Sequence, residues 1–223
     1  MKRKALRMAL LCLISVSLLG CWDYVEIERL NFVLGIGLEQ IEPDFDVIIE
    51  VVKAAGGFQQ TKLQPVVLAN KGQTFSSTAR ALTNPAGKRL FWAHAKVFIV
   101  SEEVARRGVV QAIELAIRDV DIRTSMLVFV AKDCTVEEIY HSKPSFANSV
   151  TEHIVELVDQ RLRVPVTFPQ EMWQFRKALA ESGVSAFLPA IQLMQEGEDE
   201  VPVLEGSALF KGEQMVGWLD GQE

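Results

Sequence analysis

The sequence predicts an α+β fold (mixed α/β), a mixed or antiparallel sheet with helices packed on it, and three observations carry that expectation. Strand-like alternation comes in runs near both ends of the chain, and helical spacing with capping signals is gathered between them. No βα unit repeats, which argues against a regular doubly wound sheet. The 223 residues suffice for one large domain or two small ones with a substantial core.

The first element is a leader. Lys2, Arg3, Lys4 and Arg7 precede an apolar run over 9–19 that lacks any acid or base, the layout of a secretory signal peptide over residues 1–20. That run is shorter than the roughly 20 residues needed to span a bilayer. It ends in Leu18-Leu19-Gly20-Cys21, a lipobox, in which Cys21 takes diacylglycerol and an N-acyl chain such as palmitate and becomes the new N-terminus. Two acyl chains on one residue hold a protein durably to a membrane, whereas one chain binds reversibly. The bland alternative is an ordinary signal that leaves Cys21 a plain thiol. Trp22 and Asp23 follow directly, where tryptophan suits the headgroup layer and a docking role is the sharper reading.

Next, Phe32, Leu34, Ile36 and Leu38 alternate with polar residues and glycine over 31–39, a half-buried strand. Gly35 and Gly37 point to close backbone packing within the sheet, since no helix start with a third glycine follows. Glu42-Pro43-Asp44 turns the chain into a second strand, Phe45 to Val51, and so a hairpin. A glycine- and glutamine-rich loop covers 54–61, and 66–68 resumes the sheet briefly. A polar helix over 74–82 should stop at Asn84-Pro85-Ala86-Gly87. Residues 88–100 then read as one central strand, with Ala93, Ala95, Val97 and Ile99 on one face and Trp92, His94, Lys96 and Phe98 on the other.

Ser101 is the expected N-cap of a helix to about Arg118, with Glu102 and Glu103 in its first turn and an interruption at Gly108. A strand follows over 126–131. Three capping boxes come next: Thr135 with Glu138, Ser149 with Glu152, and Thr167 with Gln170. Residues 186–194 form a strand that Pro189 suggests is at an edge. An acidic turn over 195–200 leads into a closing hairpin of strands 203–210 and 215–219.

Charge and cysteine usage exclude several functions. Removing the leader's four basic residues from a net charge of -6 leaves -10, which suits neither nucleic acid nor general attraction to anionic headgroups. On that average the lipid does the anchoring. Of three cysteines, Cys12 leaves with the leader and Cys21 is acylated, so Cys134 stays alone as a half-buried small hydrophobe. The three histidines, His94, His141 and His153, have no metal-ligand spacing around them, and no nucleophile elbow or phosphate-binding loop is present. The sequence therefore predicts no enzyme, no metal and no cofactor beyond the lipid on Cys21. His94 and Lys96, sharing a strand face, are candidate partner or ligand contacts, although a structural polar pair is the commoner arrangement. Arg118, Asp119 and Arg123 belong to an alternating-charge junction between helix and strand.

Several stretches in order resemble one family. Gly20-Cys21-Trp22-Asp23, Glu26-Ile27, Gly35-Ile36-Gly37, His94-Ala95-Lys96, Arg118-Asp119-Val120-Asp121-Ile122-Arg123, Gly206-Ser207-Ala208-Leu209-Phe210-Lys211 and Gly217 look like the Ger(x)C family of spore germination lipoproteins. The resemblance implies consecutive mixed α/β domains, of which residues 21–223 match the N-terminal one, the family continuing into a C-terminal region. It implies the C subunit of a nutrient germinant receptor, lipid-anchored on the outer face of the spore inner membrane. Such a subunit works beside an integral A subunit and a transporter-like B subunit. A competing reading is an extracytoplasmic solute-binding lipoprotein of a transporter. That reading lacks the expected two similar lobes. A lipid-anchored hydrolase is weaker still, for want of a nucleophile.

Overall fold

The computed structural model describes residues 3–5, 7–8, 26–41, 44–53, 65–119, 122–161, 168–181 and 183–219, without the side chains of residues 112, 115–119 and 161. In chain order these form β1 (Leu30–Ile41), β2 (Asp44–Lys53), β3 (Val66–Gly72), α1 (Phe75–Ala81), α2 (Thr83–Ala86), β4 (Arg89–Phe91) and β5 (Val97–Val100). There follow α3 (Glu102–Asp119), β6 (Leu127–Ala131), α4 (Val136–His141), α5 (Val150–Arg161) and α6 (Met172–Ala180). The chain closes with β7 (Ala186–Glu196), β8 (Asp199–Lys211) and β9 (Gln214–Leu219).

Among the described residues all strands join one nine-stranded mixed sheet, ordered β3-β2-β1-β5-β6-β7-β8-β9, with β4 beside β1. Its middle, β1-β5-β6-β7, is parallel, and antiparallel hairpins extend it on both sides. The fold is α+β with helices packed on the sheet, as the sequence predicts. One face is covered by α1, α3 and α6 through Phe75, Val109, Ile113 and Phe175. The other is covered by α4 and α5 through Val136, Ile139, Ile154 and Val158. Covering both faces makes β5 an unbroken buried run, Val97 to Val100.

The same double covering corrects the reading of the first strand as half-buried, because the polar side of β1 also lies under helices. A Cβ on Gly35 would come within 2.6 Å of the Tyr140 hydroxyl, and one on Gly37 would collide with Val136. Close packing at these glycines is real, and what approaches them is the helix layer.

Residues 88–100 are not one strand. Phe32 pairs with Phe91 at the end of β4, a 3-10 turn over Trp92–His94 follows, and β5 then joins β1 at Gly35. A register shift in β1 between Val33 and Gly35 lies between these two pairings. His94 thus lies in a turn and Lys96 just before a strand, so they share no strand face.

Asn84-Pro85-Ala86 does not simply end a helix but forms α2, with Pro85 in the first turn, where a missing N–H does no harm. Gly87, at φ 67°, stops it. Pro189 is not at an edge, since β7 runs between β6 and β8, and it sits where the β7–β8 register shifts. β3 is longer than the sequence suggests, and the acidic turn shrinks to Gly197-Glu198.

Two helix starts match their signals closely. Thr135 and Glu138 form a complete capping box. Ser101 Oγ accepts the Val104 N–H at 3.3 Å, and α3 is broken at Gly108, where φ is 142°. The Ser149 box is half made: its hydroxyl takes the Glu152 N–H at 2.9 Å, while the Glu152 carboxylate accepts the Asn148 N–H at 3.1 Å. Thr167 lies outside the described residues. The box that starts α6 is instead Glu171 with Gln174, because the Gln170 carbonyl accepts a sheet-like hydrogen bond from Val128.

Candidate functional site

The parallel register of β5 with β6, Val97 opposite Leu127, sets the residues before the two strands side by side. Lys96 N–H donates to Leu34 O at 2.8 Å, and Leu127 N–H donates to Lys96 O at 2.9 Å. A turn brings in Arg123, whose carbonyl accepts the Met126 N–H. The start of α6 is tied there by a bridge between Leu127 and Glu171 and by Trp173 N–H donating to Thr124 O at 3.0 Å. Val155, Val158 and Asp159 of α5 form the opposite wall.

The result is an open groove of about 730 Å³ whose apolar lining also includes Leu127 and Phe168. His94, Lys96 and Arg123 contribute the basic side, and Asp159 and Glu171 the acidic side. The His94 ring stands edge-on to Phe32 with centroids 5.6 Å apart. Burial, then Lys96 and Arg123, hold its pKa below the usual histidine value, so at neutral pH the ring is uncharged and can donate one hydrogen bond and accept another. The two cations suit a carboxylate or phosphate, and the two acids suit an amine or guanidinium. The groove opens where the parallel strands begin, whereas small molecules in open α/β sheets usually bind beyond strand carboxyl ends.

The structure thus brings His94, Lys96 and Arg123 together. Arg118 and Asp119 occupy the last turn of α3, with side chains outside those described. Cys21, Trp22 and Asp23 also lie outside the described residues. Among the described residues no group of three or more His, Cys, Asp or Glu side chains is placed to hold a metal ion, and no helix is long and apolar enough to cross a membrane. Cys134 is half-buried, and burial pushes its thiol up to about 11, far from the reactive thiolate.

Sequence reasoning missed a set of buried acids beneath α4 and α5. Glu50, 1% exposed, accepts the N–H groups of Val150 and Thr151, each at 2.9 Å, and so caps α5 from the sheet. Glu39 accepts the N–H of Val136 and caps α4 in the same way. Asp46 lies 3.9 Å from the Lys71 ammonium. Burial raises the pKa of all three acids, opposed by the helix N–H groups at Glu39 and Glu50 and by Lys71 at Asp46. Tyr140, fully enclosed beside Glu50, is raised well above the usual tyrosine value, chiefly by burial. The available signal was Asp46-Val47-Ile48-Ile49-Glu50, where acids flank Ile48 on one face of an otherwise apolar strand.

Comparison with known proteins gives the family. Residues 23–193 match the family described as "Spore germination protein N-terminal domain". From Bacillus subtilis (strain 168), "Putative spore germination protein YfkR" is 22% identical over 230 residues, covering 97% of this chain and 58% of that protein. "Spore germination protein KC" of the same organism is 28% identical over 148 residues, covering 62% of this chain and 36% of that protein. The chain thus spans little more than half of the first relative and about a third of the second. No solved structure matches. With a match across most of its length, the chain belongs to the Ger(x)C family of spore germination proteins.

Proposed function

We propose that this chain is the N-terminal part of the C subunit of a nutrient germinant receptor, a non-catalytic lipoprotein on the outer face of the spore inner membrane. The family match over residues 23–193 is the observation that carries this reading, and the lipobox ending in Cys21 supports it. In this reading residues 1–20 are removed and Cys21 carries the lipid. Residues 21–223 form the domain that meets the receptor's A and B subunits. Trp22 and Asp23 lie nearest the membrane. The groove of His94, Lys96 and Arg123 is the contact for a partner segment carrying an acidic group.

The test is a gentle detergent extraction of spore inner membranes, pulling on this protein. Two multi-spanning proteins recovered in comparable amounts are the expected result. A transporter permease in their place would move the assignment to the solute-binding alternative. Arg123→Glu should lower recovery of both proteins at least about thirtyfold, as loss of a desolvated interfacial charge pair does, while Cys21→Ala should abolish acylation.

A further inference from the structure

The sheet has two chemically different ends. We propose that the end where β1, β5, β6 and β7 begin is a membrane-seating surface fitted to the headgroup layer of an anionic bilayer, with the acidic opposite end turned away. The orientation rests on the proposed lipid on Cys21; the composition of the surface does not.

Parallel strands place their starts together. At that end the apolar side chains of Ile27, Phe91, Trp173 and Val184 are exposed, at 63%, 38%, 46% and 47%. Exposed aromatic rings with aliphatic neighbours suit the bilayer interface, where one part of the ring stays wet. Exposed Lys53, Lys88, Arg89 and Lys177 stand among them, outside the groove that holds Arg123. Register fixes several of these: Asn31 pairs with Lys53, and Leu30 with Arg89. Glu26, Glu28, Asp159, Glu171 and Glu181 share this end; Glu26 is bound to Arg29 at 3.1 Å, Glu171 accepts from the Trp173 indole, and Asp159 faces Lys96 and Arg123 across the groove. At the other end, exposed Glu103, Asp133, Glu137, Glu198, Asp199 and Glu200 gather where the parallel strands finish.

The net charge hides this division. β7 puts Glu198, Asp199 and Glu200 about 33 Å from the strand starts, several times the roughly 8–10 Å over which salt screens charge. β5 and β6, of four and five residues, put Glu103 and Asp133 about 10–13 Å away, beyond one such length, so an anionic surface touching the basic end feels the acidic one only weakly. The tether fits the same geometry. Only five residue steps separate Cys21 from Glu26, a reach of at most about 18 Å. The chain enters the sheet at the basic end, beside Ile27, Arg89 and Lys88, whose ammonium donates to Glu28 O. A lipid on Cys21 holds this end near the bilayer, and the exposed residues there match what they would meet.

The experiment uses the acylated protein in vesicles of phosphatidylethanolamine and phosphatidylglycerol, in a Cys134→Ala background. A single fluorophore is placed through Lys177→Cys or Glu198→Cys. Headgroup spin-labelled lipid should quench position 177 at least threefold more than position 198. Lys88→Glu combined with Arg89→Glu, with the circular dichroism spectrum retained, should halve that contrast, as should replacing phosphatidylglycerol with phosphatidylcholine. Equal quenching at both positions, or stronger quenching at 198, overturns the surface, and a contrast indifferent to both charge changes overturns its electrostatic match. Sedimentation of wild type against Cys21→Ala with the same vesicles reports on the anchor separately. If Cys21 proves unacylated, the two labels are read on a chain with Cys12 and Cys21 also replaced by alanine, so that one thiol is labelled, simply mixed with the vesicles, and equal quenching there also overturns the surface.

Discussion

Glu50 shows how a residue that looks misplaced can fix the position of a helix. Its carboxylate lies in the core because two N–H groups at the start of α5 would otherwise be buried without acceptors. Glu50→Ala removes both acceptors and leaves a cavity, and should destabilise the domain by about 3 kcal/mol. Glu50→Gln keeps one acceptor and should cost less; equilibrium denaturant unfolding of both variants checks the order. The acids also set a pH dependence. Burial raises the pKa of Glu39, Asp46 and Glu50 in the folded chain, so between their ordinary and raised values the folded state holds more protons than the unfolded state. Stability should therefore rise as pH falls through that window. Glu138, exposed and held below the usual value by Thr135, has the opposite sign and acts lower in the pH range. Glu50→Gln should flatten the rise. A wild type that loses stability throughout mild acidification would show that the buried acids do not dominate.

At the scale of elements, α3 and α4 divide the work of termination differently. α4 is six residues long, too short to persist alone, and depends on its capping box and on Glu39 beneath it. Thr135→Ala should cost about 1 kcal/mol. α3 is broken at Gly108, whose φ of 142° suits glycine, and the break lets Val109 N–H donate to Glu213 O in the β8–β9 turn at 3.2 Å. Gly108→Ala meets no steric neighbour yet should cost about 1–3 kcal/mol through backbone strain alone. Equal effects of Gly108→Ala and an exposed-site Ala control would refute the strain. These devices were legible in the sequence because a cap or a break is local: Ser101, Gly108 and the Thr135–Glu138 box announce themselves within a few residues. The single strand over 88–100 was misread because alternation there does not reveal that β1 offers its edge twice, first to β4 and then to β5. Pro189 misled for a similar reason, since a register shift admits proline inside a sheet. His94 and Arg123 were each visible, but only the pairing of Val97 with Leu127 makes them neighbours.

At the scale of the whole molecule, one sheet serves two helix layers of unequal character. Phe98 faces the larger apolar cluster under α1, α3 and α6, and Phe129 faces the smaller one under α4 and α5, the layer that also holds Glu39 and Glu50. Both rings are wholly buried, and they sit on adjacent strands. If the layers were independent, removing Phe129 would release only α4 and α5, leaving the other face ordered. The geometry argues for a single unit, because β5 and β6 supply side chains to both clusters and cannot keep their register with one face stripped. Phe98→Ala and Phe129→Ala should therefore each destabilise the domain by about 3–5 kcal/mol and lower one shared transition. Hydrogen exchange gives the check. In the Phe129→Ala variant, amides of α3 and β5 should lose protection in step with those of α5; loss confined to α4 and α5 would mean that the acid-bearing layer is a separable lid on the sheet.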